Sequence, residues 1–179
     1  EEALNQIKPE TKIVSISQVQ FLSSYRAEQE KIGKVCREKG IIFCVDAIQG
    51  LGAVQLDVVK DCIDFISCGT QKWILGLQGL AFIYISKDLQ EKLIPKYAGW
   101  LGVENAWSLL DYELRLKSTA DGLQTGTVSV IGIYALSASL DLFNEFGWNH
   151  IEKEVIANSK YFLKRLSEIG ITTILKECP

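Results

Sequence analysis

Methionine is absent from these 179 residues, histidine occurs once and proline three times. The five cysteines, at 36, 44, 62, 68 and 178, include no Cys-x-x-Cys pair, and His150 stands alone. A zinc or other metal site is therefore not expected, and His150 reads as a surface residue at a helix start. Excess positive charge is missing too: 19 basic residues face 22 acidic ones, for a net charge of −3. With no basic stripe or interleaved aromatic patch, nucleic acid is not an expected partner. Nor is a membrane. The longest uncharged run, Gly122 to Leu140, is broken by Gln124, Thr125, Thr127, Ser129, Ser137 and Ser139, too polar for a span. No leader is visible behind the acidic Glu1-Glu2, and the lack of Met at position 1 suggests that Glu1 is not the natural start. Cys44 and Cys68 fall in apolar runs, where a reduced thiol packs as a small hydrophobe, so a reducing, cytoplasmic compartment is expected. What is present is ordinary for a soluble globular chain: 47% hydrophobic and 23% charged residues, enough for one domain or one domain plus part of another.

The pattern along the chain is α/β, with a mainly parallel sheet. Lys12–Ser17 reads as a short strand. Ser24 can cap a helix from Tyr25 to Lys39 whose acids come early and whose bases come late, stopped by Gly40. Ala27, Ile32, Val35 and Cys36 would form its buried stripe. Ile41–Val45 is an unbroken apolar run, as in a strand covered on both faces. Together these make a βαβ unit. A short turn or helix over Asp57–Cys62 leads to a strand at Asp64–Cys68, and Gly79–Ser86 reads as a further buried strand. Asp88 and Glu91 open a short helix. From Pro95 to Gly126 the periodicity dissolves, with Tyr97, Trp100, Trp107 and Tyr112 scattered among Gly, Asn and Ser; such a segment is expected to be an interface loop. A helix is predicted over Val130–Phe146, with Ile133, Leu136, Leu140 and Phe143 inward. Another should begin near Asn149, with Glu152 completing a capping box and Ile151, Val155, Phe162, Leu166 and Ile169 inward. After Gly170, Ile171–Leu175 should open a strand. The domain reading is residues 1–95 as the C-terminal half of a large domain, 96–128 as an interface and active-site loop segment, and 129–179 as a helical connection and the start of a small domain.

The chemistry concentrates in Asp64–Ser86. A strand turns through Gly69-Thr70, presents Gln71-Lys72-Trp73 and re-enters a second strand through Gly76 and Gly79. An ammonium group at the mouth of a loop between apolar strands is costly to desolvate unless it snorkels to the surface. Val45-Asp46-Ala47-Ile48-Gln49 likewise ends an apolar strand, 26 residues before Lys72. In a parallel sheet two strand C-termini face one crevice, where ligands bind, so an acid, an amide and a lysine can converge. That trio meets the need of pyridoxal 5'-phosphate (PLP): a lysine for the Schiff base and a carboxylate for the pyridinium nitrogen. Asp46 reads alternatively as a turn cap. Gln18 and Gln20, which follow the first strand, read either as a solvated loop or as edges of the same crevice.

D-x-x-Q followed by D-F-x-x-x-x-x-Q-K-W-x-x-G-x-x-G-x-x-F-x-Y resembles the class V aminotransferase family of fold-type I PLP enzymes, which includes cysteine desulfurases, selenocysteine lyases, isopenicillin N epimerases and kynureninases. The resemblance runs through nearly all of the chain and corresponds to the middle of such an enzyme. It implies that Lys72 carries the Schiff base, that Asp46 faces the pyridine nitrogen and that Gln49 donates to the phenolate oxygen. It implies phosphate contacts from Thr70 and Gln71, and from Gly126-Thr127 reaching across a homodimer. It also implies that the strand after the lysine runs antiparallel.

Three positions depart from the desulfurase pattern. Gln71 stands where desulfurases usually have His, Gly69 where they often have Ser, and Phe21 where they have Asn. The upstream phosphate loop, the ring-stacking aromatic and the downstream substrate arginine are not in this chain. The expected function is thus PLP-dependent chemistry on a small amino acid, by an aminotransferase, lyase or epimerase, with cysteine desulfurase ranked lower. The competing expectation is a non-catalytic fragment or degenerate module that does not bind PLP alone.

Overall fold

The computed structural model describes residues 2–110 and 112–175. Four strands, β1 (Ile13–Ser17), β2 (Ile42–Asp46), β3 (Phe65–Gly69) and β4 (Ala81–Ile85), lie side by side in chain order. The first three are parallel, with Ser17 opposite Asp46 and Asp46 opposite Ser67. β4 returns antiparallel to β3, Gly69 facing Ala81, as the resemblance implied. Five helices accompany them: α1 (Glu2–Asn5), α2 (Gln29–Glu38), α3 (Lys87–Gln90), α4 (Val130–Phe146) and α5 (Trp148–Glu168). The core comprises Phe43 and Val45 of β2 and Ile66 and Cys68 of β3, from two of the expected apolar strands, with Ile63 and Ile74 beside them, covered by Ile32 and Cys36 of α2. Each fully buried large side chain contributes about 1.5–3 kcal/mol of transfer free energy, so the paired strand ends are held by a dry interior.

Several elements differ from expectation, each for a local reason. α2 begins at Gln29, not Tyr25, and Ser24 is not its cap. Gln20 wins the intervening segment: its Oε1 accepts the Leu22 and Ser23 N–H groups (2.6 and 2.8 Å), and its N–H donates to the Tyr25 carbonyl. The loop closes with Ser24 at a φ of 58°, incompatible with helix. β4 is an edge strand here, and Ala81 and Ile83 are exposed rather than buried.

α4 has the expected limits, but its inward stripe is Gly132, Leu136, Ser139 and Phe143 instead of Ile133, Leu136, Leu140 and Phe143. The small residues let the helix settle against Leu80 and the chain near Leu75, where bulkier side chains would hold it off. α5 starts at Trp148, whose ring stacks on Phe143 at 4.5 Å. Asn149 and Glu152 do not form a capping box; both accept from the Gln55 amide (2.7 and 2.8 Å), and Glu152 also pairs with Arg26 at 2.8 Å. Burial alone would raise the Glu152 carboxyl, but the Gln55 amide and the Arg26 guanidinium hold it below the usual range. Of its expected inward residues, Phe162 and Ile169 are exposed. Ile171–Leu175 is not a strand; it pairs with no strand among the described residues.

The stretch without periodicity is folded on itself. Two 3-10 turns, Trp100–Gly102 and Ala120–Leu123, are tied by a bridge between Val103 and Leu116, and Lys117 Nζ donates to the Leu101 carbonyl at 3.0 Å. Trp100 and Trp107 meet edge to face at 5.2 Å. The segment still leaves Tyr97, Trp107 and Tyr112 more than four-fifths exposed.

Candidate active site

Parallel pairing puts the C-terminal ends of β1, β2 and β3 on one edge of the sheet, and the loops leaving them build the site. After β2, the chain turns at once. The Asp46 Oδ1 accepts the Ile48 N–H at 3.0 Å, and the Gly50 and Leu51 N–H groups return to the Ala47 carbonyl. Asp46 therefore caps its own turn while its side chain stays exposed, and Gln49 is half-exposed on the same turn. The two readings of Asp46 are compatible, since a carboxylate has a second oxygen to offer.

After β3, the lysine loop is closed from within. The Thr70 hydroxyl, fully buried, donates to the Leu77 carbonyl at 2.8 Å; the Gly76 N–H returns to the Thr70 carbonyl, and the Leu75 N–H to that of Lys72. Leu75 sits at a φ of 61°, a conformation costing a non-glycine residue about 1–2 kcal/mol. Its carbonyl is braced by the Ser139 hydroxyl of α4 at 3.0 Å. Strain of this kind persists where surrounding structure over-determines it. The result is that Gln71, Lys72 and Trp73 are pushed outward and exposed.

The two loops touch through backbone. A Cβ on Gly52, whose φ is 104°, would lie 2.4 Å from the Trp73 carbonyl oxygen, so only glycine allows this approach. At Gly69 a Cβ would meet both the Gln71 side chain (2.5 Å) and Ile48 (3.1 Å), so the acid-bearing turn and the lysine loop close around the end of β3. The third loop arrives through Phe21, whose ring centre lies 5.9 Å from Lys72 Nζ, within cation–π range. Burial pushes the Cys68 thiol, one strand residue behind, up to about 11, with the Asp46 charge adding to it. That thiol is an inert part of the scaffold. Beside these loops, Phe21, Gln49, Trp73, Val155, Phe162 and Ile174 line a largely apolar cavity of about 620 Å³.

The structure thus places Asp46 and Gln49 on one loop and Gln71 and Lys72 on the adjoining one, at the same edge of the sheet. Thr70 sits there too, but its hydroxyl is turned inward and spent on the loop. Gly126 and Thr127 lie on the loop before α4, and no hydrogen bond of the described residues links them to Asp46, Gln49 or Lys72. Thr127 does not cap α4; Ser129 does so, accepting the Gly132 N–H at 3.1 Å. Thr127 is left exposed. Gln18 is not in a solvated loop but fully buried, whereas Gln20 is an exposed loop staple. Ser139 was missed; a small polar residue inside an otherwise apolar helix face was the available signal. The residues present fit PLP: a carboxylate, an amide and an exposed lysine stand on adjoining loops at one edge of the sheet. Among the described residues no helix is long and apolar enough to cross a membrane, and no three potential metal ligands cluster.

Comparison with known proteins identifies the family. The family model for class-V aminotransferases matches residues 1–178. An uncharacterized aminotransferase, YcbU, of Bacillus subtilis (strain 168) is 33% identical over 149 residues, covering 83% of this chain and 39% of the relative. A "Probable cysteine desulfurase" of Pyrococcus abyssi (strain GE5 / Orsay) is 29% identical over 160 residues, covering 89% and 39%. Among solved structures, the apo cysteine desulfurase of Thermococcus onnurineus NA1 superposes with a TM-score of 0.78 at 25% identity, covering 88% of this chain and 39% of that one. A C-DES mutant with glycine covalently linked to its PLP cofactor gives 0.85 at 19% identity, covering 96% and 47%, a likeness of fold alone. The chain spans about two fifths of the length of the curated relatives it matches. Its mainly parallel sheet is the fold-type I sheet of those neighbours, and the chain belongs to the class V aminotransferase family.

Proposed function

We propose that the full-length protein carrying this chain is a PLP-dependent enzyme acting on a small amino acid, by aminotransferase, lyase or epimerase chemistry. The observation that supports it is the meeting of Asp46, Gln49 and Lys72 on loops that contact each other through backbone at one edge of the sheet. When bound, the cofactor supplies an electron sink for the substrate's α-carbon. Lys72 would hold the cofactor covalently and could serve as a base. Asp46 would keep a proton on the pyridine nitrogen through the carboxylate oxygen not used by Ile48. Gln49 would donate its amide to the phenolate oxygen. Gln71 and, from a partner subunit, Gly126-Thr127 would contact the phosphate. Thr70 shapes the loop that presents Gln71. Reconstituting the full-length protein with PLP should give a yellow species, and borohydride should fix the cofactor on Lys72. Label at another residue, or none, would sink the proposal.

Cysteine desulfurase is the second reading, favoured by the relatives and the solved structure that carry that name. Gln71 and Phe21 weigh against it, because they replace the residues the desulfurase pattern has there. The 179-residue chain on its own, with half the phosphate cup missing, is expected to bind PLP weakly or not at all. The four described cysteines are free and suit a reducing compartment, so we assign the protein to the cytoplasm.

The proposal extends to assembly: the full-length protein is a two-fold dimer in which Tyr97 and Trp107 are covered. Their exposure here, with Thr127 left without a role in its own helix, supports this. Thr127→Ala should then weaken PLP retention about tenfold, the worth of one charge-assisted bond, with little change in Tm. A PLP-loaded monomer in sedimentation at micromolar concentration would exclude the arrangement.

A further inference from the structure

Gln18 carries a feature that the proposed chemistry does not use. It is fully buried, yet its Oε1 has no hydrogen-bond partner among the described residues. A buried amide oxygen without a donor is rare and asks for an explanation. The amide orientation is fixed by Nε2, which donates to the Gln55 carbonyl at 3.2 Å; reversing it would set two carbonyl oxygens against each other. Space-filling alone would be met better by an apolar side chain of similar volume, which has no polar atom to desolvate.

What the amide touches is the turn that carries the acid and the amide of the crevice. A Cβ on Gly50 would lie 2.4 Å from Gln18 Oε1, 2.5 Å from Cδ and 2.8 Å from Cγ. The Gln18 side chain therefore lies flat on the Gly50 backbone. Gly50 is the pivot of two successive turns: its N–H returns to Ala47, and its carbonyl accepts from Ala53 and Val54. The main chain of Gln18 holds the other end of the same unit, its N–H donating to the Asp46 carbonyl at 2.8 Å. Its own carbonyl accepts from the Ala27 N–H at 2.9 Å and from Gln29 Nε2 at 3.4 Å, which anchors it to the start of α2. One buried residue thus grips the turn at Asp46 and at Gly50, with Gln49 between.

We propose that Gln18 is a positioning residue that sets how deep the Asp46–Gln49 turn sits, and so how closely the Asp46 carboxylate and the Gln49 amide approach the cofactor ring. It touches neither cofactor nor substrate. The inference rests on the PLP reading above. Shifting the turn outward weakens the Asp46 contact to the ring nitrogen and the Gln49 contact to the phenolate oxygen, and these two contacts set where the bound chromophore titrates.

The test uses the full-length protein reconstituted with PLP, wild type and as Gln18→Ala, Gly50→Ala, the double variant and Gln18→Met. The readouts are Tm and the midpoint of the pH titration of the visible band of the lysine-bound cofactor. Both alanine variants should move that midpoint by at least about half a pH unit. The double variant should move it back toward wild type, because removing the amide makes room for the new Cβ. Gln18→Met keeps the volume and loses the donor to Gln55; it should shift the midpoint with a Tm near wild type, so the question is decided even if Gly50→Ala does not fold. Lowered Tm values with an unmoved midpoint in Gln18→Ala and Gln18→Met would overturn the positioning role and leave Gln18 as packing. A wild-type protein with no visible band would instead sink the PLP reading on which the role rests.

Discussion

Replacing Lys72 by alanine is expected to abolish borohydride-stable cofactor labelling and to lower turnover by at least about 10²–10⁴-fold, the range for removing a positioned acid–base group. Loss of the covalent link adds to that. The fold should hardly notice. Lys72 is exposed, and its recorded contact is the Phe21 ring at 5.9 Å, worth about 0.5–1 kcal/mol at an exposed site. For a domain of this size that is a Tm shift of roughly 1–4 °C. The loop keeps its shape without the side chain, because Thr70, Gly76 and the Ser139 brace hold it through main-chain carbonyls. Assay against a panel of small amino acids, with Tm measured in parallel, separates the two effects. Turnover within tenfold of wild type would show that Lys72 does not carry the reaction.

Asp46 gives a sharper contrast, because the proposal gives its two oxygens different jobs. Asp46→Ala would remove both the proposed ring-nitrogen contact and the cap on Ile48, and should cost about 0.5–1.5 kcal/mol of stability for the lost hydrogen bond. Asp46→Asn keeps an acceptor for the Ile48 N–H but carries no negative charge. Both variants should lose turnover by roughly 10²–10³-fold, as expected when a preorganised charge aimed at the reacting group is removed. Only the alanine variant should lose Tm, and both should still hold cofactor on Lys72. An asparagine variant with full turnover would mean that Asp46 is a turn cap and nothing more.

Sequence periodicity located the sheet well where a residue's place depends on its own segment. The strand ends carrying Asp46 and Gly69 fell within one residue of expectation, and α4 spans Val130–Phe146 as expected. It failed where a distant partner decides. Ser24 looked like a helix cap, but Gln20 already held the adjacent N–H groups. Ile133 and Leu140 looked inward, yet close approach to Leu80 and Leu75 favoured the face with Gly132 and Ser139. Asn149 and Glu152 had capping-box spacing, yet Gln55, almost a hundred residues earlier, claimed both. Thr70 looked like a phosphate ligand in the motif, while its burial depends on the path of Leu77 and Leu80. None of these choices is visible in a window of one or two turns.

α5 has one further consequence. It is 21 residues long, and its polar ties to the sheet loops, through Arg26 and Gln55, lie in its first turn and a half at Asn149 and Glu152. At 1.5 Å per residue it is about 30 Å from end to end. Beyond the ties it borders the apolar cavity through Val155, Ile156 and Phe162, and none of its residues is fully buried. The helix is therefore a lever with its fulcrum beside the Gln55 turn. A tilt of about 10° at that fulcrum would carry Glu168 through about 5 Å. Whatever follows in the full-length protein would swing toward or away from the crevice by at least as much.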